Sequence, residues 1–312
     1  MPVNYPNGVT SMGIPLVPGV PLTTGKYLFV LSTIGSDTNS GRDKDHPLAT
    51  IQAAINKCTA NKNDVIVLMP GHAETVTATN INLNVAGVQV VGVGIGLLRP
   101  TFTYGAAAAT ITVSAANCSW SNCNHIANFL SVAAAFTIGA AKDFQLNGCD
   151  FTDTSATLDF LSVVVTGATN NAADGLTVTN CNYWSLPTTA NAFISILGNL
   201  DRLYVAGNYV DKLATNDAGQ FITIAALVIK RAQILRNYLN VVGSAGAAVG
   251  VFMTGSSTTN TGILAHNYCV SLDTTGGLLL TATLNLGLFN NGMSGAIAAS
   301  ATMPWPAADS PA

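Results

Sequence analysis

Charge is scarce in this chain. Lysine and arginine total 12 of 312 residues, aspartate and glutamate 15, and charged residues make up 9%. The net charge is −3, and the basic residues form no cluster beyond Lys230-Arg231. Nucleic-acid binding calls for a dense positive face, so that class of partner is excluded. Hydrophobic residues reach 49%, yet no apolar run approaches the ~18–20 residues that cross a bilayer, so no transmembrane helix and no membrane partner are predicted. The first residues lack a basic stretch followed by an apolar core, so no secretory signal is read, and synthesis and folding in a cytoplasm are expected.

Cysteine is sparse too, and wrongly spaced for zinc. Cys58, Cys118, Cys123, Cys149, Cys181 and Cys269 include no Cys-x-x-Cys pair, and no histidine follows at ligand spacing. No metal and no cofactor are expected. A surface made of Thr, Ser, Asn and Ala in place of charge suits a protein packed against copies of itself or against a larger assembly.

What the chain does have is a phrase that returns. It reads apolar–x–apolar–x–x–(Cys or Asn): Cys118 to Cys123, Phe144 to Cys149, Leu176 to Cys181, Leu203 to Asn208, Ala232 to Asn237, Gly262 to Asn267 and Leu286 to Asn291. The final residue recurs at intervals of 26, 32, 27, 29, 30 and 24. A drifting period of this size marks a solenoid, whose units bury their apolar faces only against neighbours. The internal spacing of two indicates a strand, since alternate side chains share one face. Each unit carries a second β-rich run, among them Ala109–Val113, Phe160–Val165, Phe193–Leu197 and Phe221–Ile224. Two or three strands per turn, stacked ~4.8 Å apart, make a parallel β-helix, right-handed by the crossover rule. Cys123, Cys149 and Cys181 share one repeat position and should stack as buried thiols, unsuited to disulfide geometry. Asn208, Asn237 and Asn267 continue that structural ladder with side-chain amides.

The expected organisation is an all-β, right-handed parallel β-helix with an N-terminal capping helix and an extended N-terminal arm. Residues 1–25 form the Pro-rich arm, 26–63 a capping strand, loop and helix, 64–295 the coils, and 296–312 a contact tail. Proline removes donors and fixes extended geometry, so the arm is neither helix nor sheet interior. Its apolar content (Tyr5, Pro6, Ile14, Pro15, Leu16, Val17, Pro18) suits ordering on a neighbour, and Trp305 between prolines is a second anchor. Thr50 is the expected N-cap of a helix over about 50–60, with Ile51, Ala54, Ile55 and Cys58 on one face.

The run from the first strand, through Gly35-Ser-Asp-Thr-Asn-Ser-Gly41 and Pro47-Leu-Ala-Thr-Ile-Gln-Ala-Ala-Ile55, to Pro70-Gly-His-Ala-Glu74 resembles the opening of right-handed parallel β-helices of the pectin-lyase-like superfamily. More narrowly, the chain resembles β-helical virion proteins of tailed bacteriophages. The motif resemblance covers residues 26–100. It implies a structural role: a capsid decoration or cement protein on the virion exterior, a homotrimer bound to the major capsid protein.

Carbohydrate-active β-helices work with clustered carboxylates, and Glu74 is the single glutamate here. Asp150, in register with Asn124 and Asn182, is expected at a turn; Asp150 with Asp153 is the best candidate pair. His72 and Glu74 are expected at a surface or turn. Arg99 and Arg202 read as isolated, and Trp120, Trp184, Tyr183, Tyr204, Tyr209 and Tyr238 read as packing residues. No catalytic residue is assigned and no enzymatic activity is expected. The alternatives are a tailspike-like polysaccharide hydrolase or lyase and a receptor module that binds a surface glycan without cleaving it.

Overall fold

The computed structural model describes residues 10–11, 14–15, 20–78, 81–186, 192–213, 220–224, 227–241, 251–254, 259–271, 278–280 and 286–294. Three parallel sheets run the length of a right-handed parallel β-helix. Sheet I has ten strands, from Tyr27–Val30 to Gly287–Phe289. Sheet II has nine, from Ala73–Val76 to Gly292–Ser294, and sheet III has eight, from Asn82–Leu83 to Leu278–Leu280. Each coil visits I, II and III in turn, and each strand pairs in parallel with its counterpart one coil away.

The returning phrase is the sheet I strand plus the corner that follows it. The first two connections from sheet I to sheet II are longer, residues 69–72 and 93–100; in the seven that follow, the chain spends two residues. The first of the two is left-handed in each: Asn122, Gly148, Asn180, Gly207, Arg236, His266 and Asn290 have φ between 47° and 67°. Glycine and asparagine adopt this conformation at the least cost, which is why they fill five of these seven corners. The second residue is the Cys or Asn, turned inward and buried from Cys123 to Asn267. The next residue already begins sheet II. A corner this short explains why the sequence reading found two β-rich runs per unit where the coil has three strands.

The interior is a set of columns. Trp120, Leu146, Val178, Val205, Ile234 and Leu264 align along sheet I, while Phe136, Val164, Ile194, Ile222 and Met253 align along sheet III. All are fully buried, so removing one large side chain should cost about 2–5 kcal/mol. In the amide ladder, Asn208 Nδ2 donates to Asn237 Oδ1 at 2.9 Å, and Asn237 Nδ2 donates to Asn267 Oδ1 at 2.9 Å. The same oxygens accept the backbone N–H of Asn208 and Asn237 at 3.0 Å. Thus the buried amides satisfy one another from coil to coil.

The helix Ile51–Lys57 covers the N-terminal end of the stack, burying Ile51, Ala54 and Ile55 in the common core. Its first turn is held from three directions. Thr50 Oγ1 accepts from Ala53 N at 3.3 Å, Glu74 Oε2 accepts from Ile51 N at 3.0 Å, and Asp37 Oδ1 accepts from the N–H groups of Ala49 and Thr50 at 2.9 Å each. Gly35 is required by close approach: a Cβ there would lie 2.3 Å from the Leu48 carbonyl oxygen. The residues that carry the family resemblance therefore build the cap.

Candidate functional site

The carboxylates are dispersed. Asp150 does not sit at a turn; it opens the sheet II strand Asp150–Asp153. Side chains alternate along a strand, so Asp150 faces outward and Asp153 inward, where it is 1% exposed. The best sequence candidate for a catalytic pair is thereby split across the two faces of one sheet. Asp150 is ion-paired with Arg99, which also donates to the Gly148 carbonyl, and it accepts from Asn182 Nδ2 at 2.8 Å. Arg99 is not isolated, and neither is Arg202, whose guanidinium lies 2.9 Å from Asp143. Arg231 likewise pairs with Asp201. Among the described residues no three His, Cys, Asp or Glu side chains converge to hold a metal ion.

Two buried polar groups belong to the scaffold. His72 is 1% exposed and not at the surface; its Nδ1 accepts from Ser32 N at 3.1 Å, and its Nε2 lies 3.4 Å from Glu74. Further along, Asp153, Ser185 and Lys212 share an inward register of sheet II on successive coils, and all are buried. Asp153 accepts from Phe160 N, Leu186 N and the Tyr183 hydroxyl, each at 3.0 Å. Burial pushes the Asp153 carboxyl up to about 7 in spite of these donors.

The outward face of sheet II is different in kind. Its first outward register runs Thr101, Asn124, Asp150, Asn182, Tyr209, Tyr238, Tyr268. The second runs Thr103, Ile126, Thr152, Trp184, Asp211, Asn240, Val270. Over the four successive coils from Asn182 to Tyr268 these registers form a grid of Trp184, Tyr209, Tyr238 and Tyr268 interleaved with Asn182, Asp211 and Asn240. Trp184 and Tyr209 are each 37% exposed and Tyr268 50%. The rings of Tyr209 and Tyr238 are parallel within 1° at 5.0 Å between centroids. The two rings are therefore stacked on one another along the column, one per coil. Asn240 Nδ2 donates to Asp211 at 2.7 Å, orienting both polar groups beside the rings.

From the sequence these aromatics are expected to be packing residues. The structure divides them: Trp120 and Tyr183 are fully buried, whereas Trp184 and Tyr209 are exposed. The signal was present in the register, since Tyr209, Tyr238 and Tyr268 each directly follow a ladder Asn and so begin a sheet II strand outward. A second polar recess, of about 250 Å³, lies on sheet I between Asn63, Gln89, Asn117, Ser119 and Gln145.

Of the residues expected to contact partners, Ile14–Pro15 pairs antiparallel with Thr10–Ser11. Tyr5, Pro6, Leu16, Val17, Pro18 and Trp305 lie outside the described residues.

The described residues form a right-handed parallel β-helix. Solved structures with this architecture include a rhamnogalacturonan lyase, at 13% identity and a TM-score of 0.43, with 86% of this chain and 87% of that one covered. A pectate lyase from Bacillus sp. N165 in complex with trigalacturonate matches at 14% identity and a TM-score of 0.49, covering 93% and 90%. A lacto-N-biosidase from Eubacterium ramulus matches at 10% identity and a TM-score of 0.27, covering 86% and 67%. Likeness at this level is likeness of fold. No family model matches the sequence, and no curated protein does.

Proposed function

We propose that this protein is a glycan-binding β-helical rod that holds a polysaccharide on the outward face of sheet II without cleaving it. The observation that carries this reading is the grid of Trp184, Tyr209, Tyr238 and Tyr268 interleaved with Asn182, Asp211 and Asn240. Aromatic faces accept the apolar C–H faces of sugar rings, and neighbouring amides and carboxylates bond the hydroxyls. The outward carboxylates of this face do not make an acid/base pair. Asp150 is held by Arg99. Asp211 lies two coils further on, roughly 10 Å along the axis at ~4.8 Å per coil, before any offset across the strand. Glycosidase pairs stand about 5–9.5 Å apart.

The test is to measure binding of the purified chain to a glycan array and, on the glycans retained, release of reducing ends. Binding without release is expected. Turnover that disappears in Asp150→Ala or Asp153→Ala would establish an enzyme and overturn the reading.

A finer reading places the rod on a bacteriophage capsid as a homotrimeric decoration protein bound to the major capsid protein at the virion exterior. It rests on the sequence resemblance, on the charge-poor composition and on one structural observation. The loop between the Gln89–Gly92 and Thr101–Tyr104 strands projects Ile95 and Leu97, 85% and 99% exposed, an apolar knob that suits a protein contact. Deleting residues 2–24 should leave the coils folded and abolish attachment to the particle; full occupancy after deletion would refute the arm's role.

A further inference from the structure

We infer that the glycan held by sheet II is an uncharged chain lying parallel to the solenoid axis; this deepens the proposed function and rests on it. The argument is one of charge and spacing. The outward registers of sheet II, from Ala73 and Thr75 through Tyr268 and Val270, contain two carboxylates, Asp150 and Asp211, and not one Lys, Arg or His. Arg99 approaches this face from the preceding corner, but its charge is taken up by Asp150, its Nη2 donates to the Cys123 and Gly148 carbonyls, and its Nε is buried. Within these registers a uronate or phosphate-bearing polymer would meet Asp211 without a compensating cation, and like charges at close range repel; the exposed Arg236 lies outside them, at the corner before Tyr238.

What the face offers instead matches neutral sugar. Donor and acceptor amides (Asn182, Asn240), an acceptor carboxylate (Asp211) and three phenol hydroxyls bond hydroxyl groups, while the ring faces take C–H surface. These groups repeat along the axis, once per coil, because parallel pairing places Asn182, Tyr209, Tyr238 and Tyr268 in one register. A chain running along the axis meets them all, over about 14 Å for four coils at ~4.8 Å each. A chain running across the coils meets one coil's pair and then leaves the strip.

The experiment is calorimetric titration of the full chain with two oligosaccharide series of matched length: neutral glucose- and N-acetylglucosamine-built oligomers, and oligogalacturonate. The expected result is binding of a neutral series, with affinity that rises with length, levels off once the oligomer spans the four coils, and is unchanged by added NaCl. Tyr238→Ala, in the middle of the strip, should weaken it at least tenfold. Gln233→Ala, on sheet I, should leave it unchanged. Equal or stronger binding of oligogalacturonate would overturn the inference while leaving glycan binding intact. Neutral binding that ignores Tyr238→Ala, or that shows no length dependence, would overturn the placement. Failure of both series to bind, or of any glycan on the array, would remove the proposed function itself.

Discussion

The imidazole of His125 stacks on the ring of Phe151 at 4.9 Å with the planes 16° apart, and on its other side it meets Phe102 at 5.5 Å and 15°. Nδ1 lies 3.1 Å from the Tyr104 hydroxyl, while Nε2 is buried without a partner. Burial lowers its pKa to about 3, so the ring is neutral in the fold. On unfolding it returns to about 6.5 and takes up a proton. The unfolded state binds more protons between these values, so this group's contribution is present above pH 6.5 and lost as pH falls towards 3. The gap between these two values amounts to roughly 5 kcal/mol. His125→Phe keeps the ring column and removes this group's slope from urea melts run between pH 3 and 7, leaving the opposing Asp153 slope described next.

Asp153 works in the opposite sense. Burial raises it to about 7, against about 3.9 for an unperturbed carboxyl. Between those values the folded state holds the extra proton. Its contribution is complete below about pH 4 and lost as pH rises through 7. Since the two slopes oppose each other between about pH 4 and 6.5, wild-type stability should be nearly flat there. Asp153→Asn should uncover the His125 slope, and His125→Phe the Asp153 slope. Parallel profiles for the two variants would contradict both assignments.

Asn237→Ala in the amide ladder strands the N–H groups that Asn208 directs at Asn237 Oδ1 and the Val205 carbonyl that Asn237 Nδ2 serves. Each stranded buried group costs about 1–3 kcal/mol, so a loss of at least about 3 kcal/mol is expected from the denaturation midpoint. Cys149→Ala removes one buried sulfur whose contact is a long 3.7 Å hydrogen bond to Asn147 O. It should cost about 1 kcal/mol by the loss of packing. Equal costs at the two positions would mean that the ladder acts through volume and not through its amides.

Asp37→Ala should destabilise the N-terminal cap by about 1–2 kcal/mol, because three groups of Ala49 and Thr50 lose their acceptor. Hydrogen exchange should rise first in Ile51–Lys57 and in Val65–Leu68, with the amides of Ala232–Leu235 unaffected. Uniform loosening of the whole stack would show that the cap is not a local device.

The thiols of Cys123 and Cys181 are pushed well up by burial, and those of Cys149 and Cys269 up to about 12. Thiolate is the reactive species, so a thiol reagent at pH 8 should modify these four only on unfolding. Rapid labelling of any of them in native buffer would contradict the stacked interior.

The amino-acid order by itself determined the fold. Strand periodicity of two, a return near thirty residues and a Cys or Asn closing each returning phrase leave little but a parallel solenoid, because each unit is closed by local corner geometry and by its neighbours. The helix was legible for the same reason, since Thr50 and the spacing of Ile51, Ala54 and Ile55 are local signals. Which way a given polar or aromatic side chain points was decided only in three dimensions. Asp150 and Asp153 look like partners at a turn until a two-residue corner makes them alternate on a strand. Trp120 and Trp184 look alike until register puts one on the axis side of sheet I and the other on the solvent side of sheet II. The physical reason is that one residue of register exchanges the two faces of a strand, and corners of two residues leave no mark in composition to fix it.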